Sequence, residues 1–168
     1  MNEPQAARRR RSRGPRPRPS TLLFDLFVAQ QRVRALLTDA MEGSGLRPDE
    51  YAVYSAVFEF GPVAPGALAN ILGMPPTTMS HYVRSMREHG HVETVRNPAD
   101  NRSFLLALTI EGRSAHRRAG RSYEEAYRRF AAALPAAEGS VRTALGAVEQ
   151  AAAQAREELN TTRDEAIG

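Results

Sequence analysis

Hydrophobic positions recur every three or four residues along most of the chain, which is the spacing of one face of an α-helix. Ser20 or Thr21 is placed to cap the first of these segments, and proline stands at the start of the next two. Glycine interrupts the pattern after each of the three. The first half of the chain is therefore predicted to contain three helices, which begin at residue 21, near Pro48 and at Pro65.

A fourth predicted helix, PTTMSHYVRSMREHG, has two sharply different faces. Met79, Tyr82, Val83 and Met86 fall within about 100° of one another around the helix axis and form an apolar face. The opposite face is small, polar and basic, and lacks the mixture of acids and bases that is typical of a merely solvated surface. Its residues are Thr77, Ser80, His81, Arg84 and Ser85.

Two runs typical of short strands follow this helix, Val92–Val95 and Phe104–Leu108, and a charged loop joins them. The order helix, turn, polar helix and hairpin predicts a winged helix-turn-helix, in which the hairpin is the wing. The polar helix would lie in the major groove of DNA, and the wing tip would lie over the neighbouring backbone and minor groove. The alternative is an edge loop with an ordinary surface ion pair.

The wing tip contains both charges and amides. Arg102 is the residue expected to enter the groove, with Arg96 at the base of the same loop. Asp100 is expected to hold the loop by accepting backbone N–H groups and by pairing with an arginine. Asn97 and Asn101 are expected to support the turn or to contact phosphate.

These stretches resemble the MarR family of bacterial transcription regulators from about residue 21 to residue 160. The matching segments are LRPDEYAVYSAVFEFGPVAPGALANILGM and TTMSHYVRSMREHGHVETVRNPADNRSFLLALTIEGR, and their most specific elements are Asp100–Ser103 and Leu108–Gly112. The resemblance implies that Asp100 and Arg102 act in the wing. It also implies that the helix positions that read bases and contact phosphates are Thr77, Thr78, Ser80, His81 and Arg84.

The chain departs from the family pattern in three places. Pro75-Pro76 replaces the usual polar cap before the fourth predicted helix, which is the recognition helix of the family. Asn101 stands in the wing motif where a second basic residue is common. The arginine-rich N-terminus is longer than the family needs.

Long helices are also predicted in the C-terminal third. Apolar residues of the last helix alternate at spacings of four and three, as along the seam of a coiled coil. They are Val141, Leu145, Val148, Ala152, Ala155 and Leu159. With the similar stripe of the first helix, they predict a two-fold dimer whose recognition helices lie ~34 Å apart on a palindromic site. The alternative is that both helices pack only within their own domain.

The predicted organisation has four parts. Residues 1–19 form an arginine-rich arm, residues 20–45 and 110–160 form a helical dimerisation region, residues 46–109 form the winged helix-turn-helix, and residues 161–168 form a tail. The fold class is mainly α with a small β-hairpin.

Charge is concentrated in the arm. All 23 basic residues are arginine, and seven of them lie in the first nineteen residues beside one acid, Glu3, although the net charge of the whole chain is only +4. Its stretch RRRRSRGPRPRPS has no apolar residue to bury and cannot offset the entropy of ordering, so the arm is expected to be disordered alone. Arg13, Arg16 and Arg18 are its candidate contacts to phosphate or the minor groove. The alternatives are a solubilising tail or a misplaced start codon.

Composition narrows the function classes. The absence of cysteine excludes disulfides, cysteine-based metal sites and thiol redox sensing. The four histidines lack a metal-ligand spacing, and no apolar run approaches the roughly 20 residues needed to cross a bilayer. We expect a cytoplasmic protein without a metal or cofactor.

The family resemblance implies a small anionic or aromatic effector between the dimerisation helices and the DNA-binding lobe. The candidate lining residues are Phe24, Phe27, Tyr51, Tyr54, Phe58 and His116, and the alternative for each is an ordinary core position. The absence of tryptophan is a departure from the urate-responsive branch of the family.

Three functional hypotheses follow. The first is a homodimeric regulator of transcription that binds duplex DNA, a repressor relieved by a ligand or, alternatively, an activator. The second is a winged-helix module for protein or RNA contacts. The third, a small enzyme, has no support, because the sequence shows no nucleophile–base pair, paired carboxylates, phosphate-binding glycine loop or metal set.

Overall fold

The computed structural model of the protein describes residues 21–99 and 103–165. Within those ranges the chain forms six helices and one two-stranded antiparallel hairpin, which confirms the predicted mainly-α winged-helix class. The helices are α1 (Leu22–Ala40), α2 (Pro48–Phe60), α3 (Pro65–Ile71), α4 (Pro76–Glu88), α5 (Ile110–Ala133) and α6 (Glu138–Glu165). The strands are β1 (Val92–Arg96) and β2 (Phe104–Leu108).

Local signals set the helix starts. Thr21 caps α1, since its Oγ1 accepts a hydrogen bond from the Phe24 amide over 3.3 Å, and α2, α3 and α4 all begin at a proline. Thr109 caps α5 in the same way by accepting from the Gly112 amide over 3.0 Å. With this cap, α5 begins at Ile110.

One hydrophobic core joins α2, α3, α4, the hairpin and the first half of α5. Its largest fully buried side chains are Leu68, Met79, Met86, Leu106, Val53 and Val57. Val63 extends the hairpin towards a three-stranded arrangement through two backbone hydrogen bonds with Leu106, of 3.0 and 2.8 Å. The core therefore holds the polar helix α4 and the base of the hairpin in one lobe.

The register of the hairpin determines which part of it reaches the core. Val92 lies opposite Leu108 at the base, and both are buried, whereas Arg96 lies opposite Phe104 at the outer end. Arg96 is exposed and the exposed fraction of Phe104 is 38%. The hairpin is thus anchored at its base and projects outward at its tip.

A tight junction connects α4 to α5. Gly90 ends α4 at a φ of +67°, a conformation that favours glycine. The Thr109 hydroxyl donates to the Gly90 carbonyl over 2.8 Å, and the Thr109 amide donates to the His91 carbonyl over 3.1 Å. A Cβ atom on Gly112 would collide with that same His91 carbonyl oxygen. The Leu108–Gly112 element therefore has a structural explanation: it caps α5 and packs its first turn directly on the end of α4.

The first and last helices are the least covered elements in the described chain. No residue of α1 is buried, and Leu22, Leu23, Phe24 and Phe27 are all more than half exposed. In α6, Leu145 and Leu159 are 53% and 71% exposed. An apolar groove of about 240 Å³ lies where α1, α5 and the start of α6 meet. Both helices thus present apolar side chains that their own protomer leaves in solvent.

Candidate nucleic-acid interface and ligand pocket

The polar face of α4 projects from the lobe into solvent. Met79, Val83 and Met86 are buried in the core on one side of the helix. On the other side Ser85 is only partly exposed, and the exposed residues, which we call the recognition face, are Thr77, Thr78, Ser80, His81 and Arg84. The Ser80 hydroxyl donates to the Pro76 carbonyl over 2.8 Å, so its oxygen lone pairs remain directed outward as acceptors.

The start of α4 also carries backbone donors. Pro75 occupies the cap position and Pro76 the first helical position, and no side chain caps the helix. The amides of the first turn are consequently without a side-chain partner, and they add the partial positive charge of a helix N-terminus to the recognition face. The N-terminal end of α4 therefore favours the binding of a phosphate group.

The described part of the wing loop is organised by Asn97. Its Nδ2 donates to Ser103 Oγ over 2.8 Å, and its Oδ1 accepts from the Ala99 amide over 3.0 Å. These two bonds tie the ends of the loop together, the turn-supporting role expected of Asn97. The other predicted contacts of the tip and the arm lie outside the described residues: Asp100, Asn101, Arg102, Arg13, Arg16 and Arg18.

A contact that the sequence pattern did not reveal joins α4 to the wing. The guanidinium carbon of Arg87, in the last turn of α4, lies 4.8 Å from the centre of the Phe104 ring at the start of β2. This is the geometry of a cation–π interaction. The two residues lie on separate elements, and no periodicity relates them.

The predicted pocket residues separate into three groups. His116 of α5 stacks against Tyr51 at 5.1 Å and against Phe58 at 4.8 Å between ring centres, and Tyr123 lies 5.0 Å from Tyr51. Tyr51, Phe58 and His116 line an open cavity of about 620 Å³ between α2 and α5, which we call the ligand pocket. Phe24 and Phe27 lie exposed on α1 and do not line it.

Tyr54 lies in the core instead of in the ligand pocket. It is 4% exposed, and its hydroxyl lies 2.7 Å from Nδ1 of His91. Burial raises the pKa of Tyr54 to about 12 and lowers the pKa of His91, so both partners of this hydrogen bond favour their neutral forms. The aromatic ring of Tyr54 suggests a ligand contact from the sequence. In the structure, its hydroxyl instead stabilises the junction between α4 and β1.

His116 is one of the polar residues of the ligand pocket, with Ser55 and Glu59. Its Nε2 lies 3.1 Å from Ser55 Oγ, whereas its Nδ1 is buried and has no hydrogen-bond partner in the described part of the chain. Burial, and to a smaller extent the charge of Arg117, lowers the pKa of His116 and favours the neutral ring. Buried polar atoms nearly always have partners, so Nδ1 is an exception among the described residues.

The described residues include no group of three His, Asp or Glu side chains that could hold a metal ion. None of the described helices combines the length and apolar character needed to cross a bilayer.

Comparison with known proteins finds solved structures that share this architecture. No family model matches the chain, and no curated protein sequence matches it. A MarR-family transcriptional regulator from Rhodococcus sp. RHA1 is 26% identical, with a TM-score of 0.62, over 77% of this chain and 91% of that one. CouR from Rhodococcus jostii RHA1, bound to p-coumaroyl-CoA, is 25% identical, with a TM-score of 0.67, over 80% of this chain and 92% of that one.

A third neighbour has a higher TM-score and lower identity. The Mycobacterium tuberculosis regulator MosR, solved in complex with DNA, is 22% identical, with a TM-score of 0.70, over 82% of this chain and 99% of that one. The shared architecture therefore spans nearly the full length of each neighbour. These likenesses confirm the predicted architecture: the described chain has the winged helix-turn-helix fold of MarR-type regulators.

Proposed function

We propose that the protein is a homodimeric transcriptional regulator that binds a palindromic DNA duplex and is a repressor released by a small ligand. The observation that carries the proposal is the recognition face, five exposed polar or basic residues on a helix whose opposite side is buried in the core. A helix of this kind, presented beside a hairpin, fits the major groove.

The chemistry of the recognition face suits DNA. Arg84 has a guanidinium fork that bonds guanine or phosphate, and Thr77, Ser80 and His81 supply hydrogen bonds to base edges or backbone. The uncapped start of α4 adds backbone amides for a phosphate. The structure of MosR in complex with DNA supports this reading.

The exposed faces of α1 and α6 support the dimer. Phe24, Phe27 and Leu159 are each more than half exposed, and a second copy is the occupant that would cover all of them at once. Two-fold symmetry would then place two recognition faces about one helical turn of DNA apart, ~34 Å, so the operator would be a palindrome.

The ligand pocket supports release by an effector. Its aromatic walls suit a planar ring, and Ser55 and His116 add polar side chains to the lining. Arg113, whose guanidinium carbon lies 5.7 Å from the centre of the Phe58 ring, adds a positive charge for an anionic substituent. CouR, a transcriptional repressor solved with a 23-mer DNA duplex and with p-coumaroyl-CoA, supports both the repressor role and an aromatic acyl effector.

Selection of bound sequences from random duplex DNA tests the proposal. The full chain and a variant lacking residues 1–19 should both enrich a palindrome. Any base preference beside the palindrome that is lost in the shorter chain would identify the base pairs that the arm contacts. Enrichment of no sequence, together with equal binding to duplex DNA, RNA and an acidic polypeptide, would instead support a general interaction module. Reporter transcription from the selected palindrome, with and without the protein, separates a repressor from an activator.

A further inference from the structure

We propose that Arg87 is a positioning residue that sets the angle of the wing through the Phe104 ring and does not itself bind DNA. This inference rests on the proposed DNA-binding function, because the wing angle matters through what the wing contacts. Its geometric basis is the 4.8 Å separation between the Arg87 guanidinium carbon and the centre of the Phe104 ring.

The contact lies where the wing needs support. At the base of the hairpin, Val92, Leu106 and Leu108 are buried, and the Val63 bridge adds two backbone bonds. At the outer end, Val95 and Phe104 are 36% and 38% exposed and are beyond the reach of the core. Since an isolated two-stranded hairpin is marginal in water, its outer half needs a contact of its own. Among the described residues, Arg87 provides that contact from α4.

The register of the hairpin directs this support to the tip. Phe104 is the first residue of β2 and lies opposite Arg96, the last residue of β1. Opposite residues of an antiparallel pair share one face, so Arg96 and Phe104 project on the same side of the wing. A guanidinium held over Phe104 therefore stabilises the pair of residues from which the loop departs.

The position of Arg87 on α4 also connects the two DNA-facing elements. Arg87 follows Arg84 by three residues and Ser80 by seven, so it lies at the edge of the recognition face that turns towards the hairpin. A flat guanidinium stacks on an aromatic ring more effectively than a lysine ammonium does, which accounts for the residue type. The stacked pair thereby keeps the recognition face and the wing at one relative angle.

A double-mutant cycle tests the proposal, with Arg87→Gln, Phe104→Leu and the combined variant. Each single variant should weaken binding to the selected palindrome by about two- to fivefold, the size expected for an exposed cation–π contact. The combined variant should bind no more weakly than either single variant, because both remove the same contact. Sequence preference should relax at the base pairs under the wing and persist under the recognition face.

The salt dependence distinguishes positioning from a direct phosphate contact. Neither single variant should change the slope of log affinity against log salt, whereas loss of a phosphate contact would reduce that slope by about 0.9. Arg156→Gln, which removes one exposed arginine from α6, controls for the change in net charge. Additive losses in the cycle, or a reduced slope for Arg87→Gln alone, would overturn the inference.

A measurement without DNA keeps this inference separate from the proposed function. Amide hydrogen exchange in the outer halves of β1 and β2 should accelerate in Arg87→Gln and Phe104→Leu, and Phe104→Tyr, which keeps the ring, should behave as wild type. Unchanged exchange in Arg87→Gln would reject the wing contact even if the protein binds DNA. Accelerated exchange in a chain that binds no duplex would preserve the contact and reject the DNA-binding proposal.

Discussion

The Tyr54 hydroxyl and Nδ1 of His91 share a hydrogen bond of 2.7 Å, which connects α2 to the short turn between α4 and β1. The backbone carbonyl of the same His91 accepts from the Thr109 amide and lies against Gly112. Three elements thus meet at His91, directly behind the end of the recognition helix. Changes at this junction are expected to alter both stability and the setting of α4.

Tyr54→Phe should destabilise the protein by about 1 kcal/mol, because His91 Nδ1 would lose its hydrogen-bond partner in a partly buried site. Urea unfolding monitored by circular dichroism measures the change. Tyr123→Phe makes the same chemical change at a half-exposed ring that contacts Tyr51, and it should leave the unfolding free energy near the wild-type value. Equal losses in both variants would argue against a specific role for the Tyr54–His91 bond.

Gly112→Ala should destabilise the chain by more than about 3 kcal/mol, because its new Cβ would collide with the His91 carbonyl oxygen and neither backbone segment can move without disturbing the core. Gly66→Ala is the matched control. It lies in α3 with no atom within 4 Å of the added Cβ, so it should be neutral or slightly stabilising. The melting temperatures of the two variants, measured by thermal unfolding, test this prediction. A Gly112→Ala variant as stable as the wild type would contradict the described junction.

Stability should fall as the pH is lowered through the range of histidine titration. Burial, followed by the charges of His89 and Arg118, lowers the pKa of His91 against the opposing effect of Glu111, and burial followed by Arg117 lowers the pKa of His116. The unfolded chain therefore binds protons at a higher pH than the folded chain does. Stability is complete above the unfolded pKa of about 6.5 and decreases as pH falls towards the lower folded values.

The measurement is the melting temperature between about pH 7.5 and pH 5, above the range in which carboxylates titrate. His116→Gln should flatten the decrease, because it removes one group that unfolding allows to protonate. His81→Gln, at an exposed position of the recognition face, should retain the wild-type decrease. A pH profile that His116→Gln does not change would assign the dependence to other groups.

Arg84→Ala and Arg102→Ala should each weaken binding to the selected palindrome by at least ~1 kcal/mol. Binding assays at several salt concentrations separate phosphate contacts from base contacts, because a lost phosphate contact reduces the salt slope by about 0.9. Arg156→Ala on α6 removes the same charge far along the chain and should bind as the wild type does. Unchanged affinity of the Arg102→Ala variant would show that the predicted wing contact does not contribute to DNA binding.

Leu159→Glu should shift the protein from dimer to monomer in sedimentation experiments, because it places a charge on the exposed apolar seam of α6. Gln150→Glu adds the same charge on the opposite side of that helix and should leave the association state unchanged. A wild-type protein that sediments as a monomer at all concentrations would contradict the proposed dimer.

Much of the fold follows from local patterns. The predicted starts of α2, α3 and α4 agree with the structure because proline at a helix start and glycine at its end act within a few residues. The separation of Met79, Val83 and Met86 from the recognition face was equally predictable, since it needs only the 3.6-residue period. The turn-supporting role of Asn97 follows from the chemistry of its side chain.

The composition of the ligand pocket was predictable only in part. Tyr51 and Phe58 are seven residues apart, so helical spacing places them on one side of α2. Their partner His116 comes from α5, and only packing decides that its ring stacks on both. Tyr54 is three residues from Tyr51, yet it faces the core and His91. Aromatic composition by itself did not distinguish these two environments.

The sequence by itself determined the helices, the hairpin, the two-faced α4 and the family resemblance, because periodicity, caps and short motifs are properties of neighbouring residues. Only the tertiary structure decided that Arg87 lies over Phe104, that Gly112 lies against His91, and that Phe24 and Phe27 lie outside the ligand pocket. Those contacts depend on how the elements pack around a shared core, and a one-dimensional pattern specifies the faces of helices and strands without specifying which faces meet.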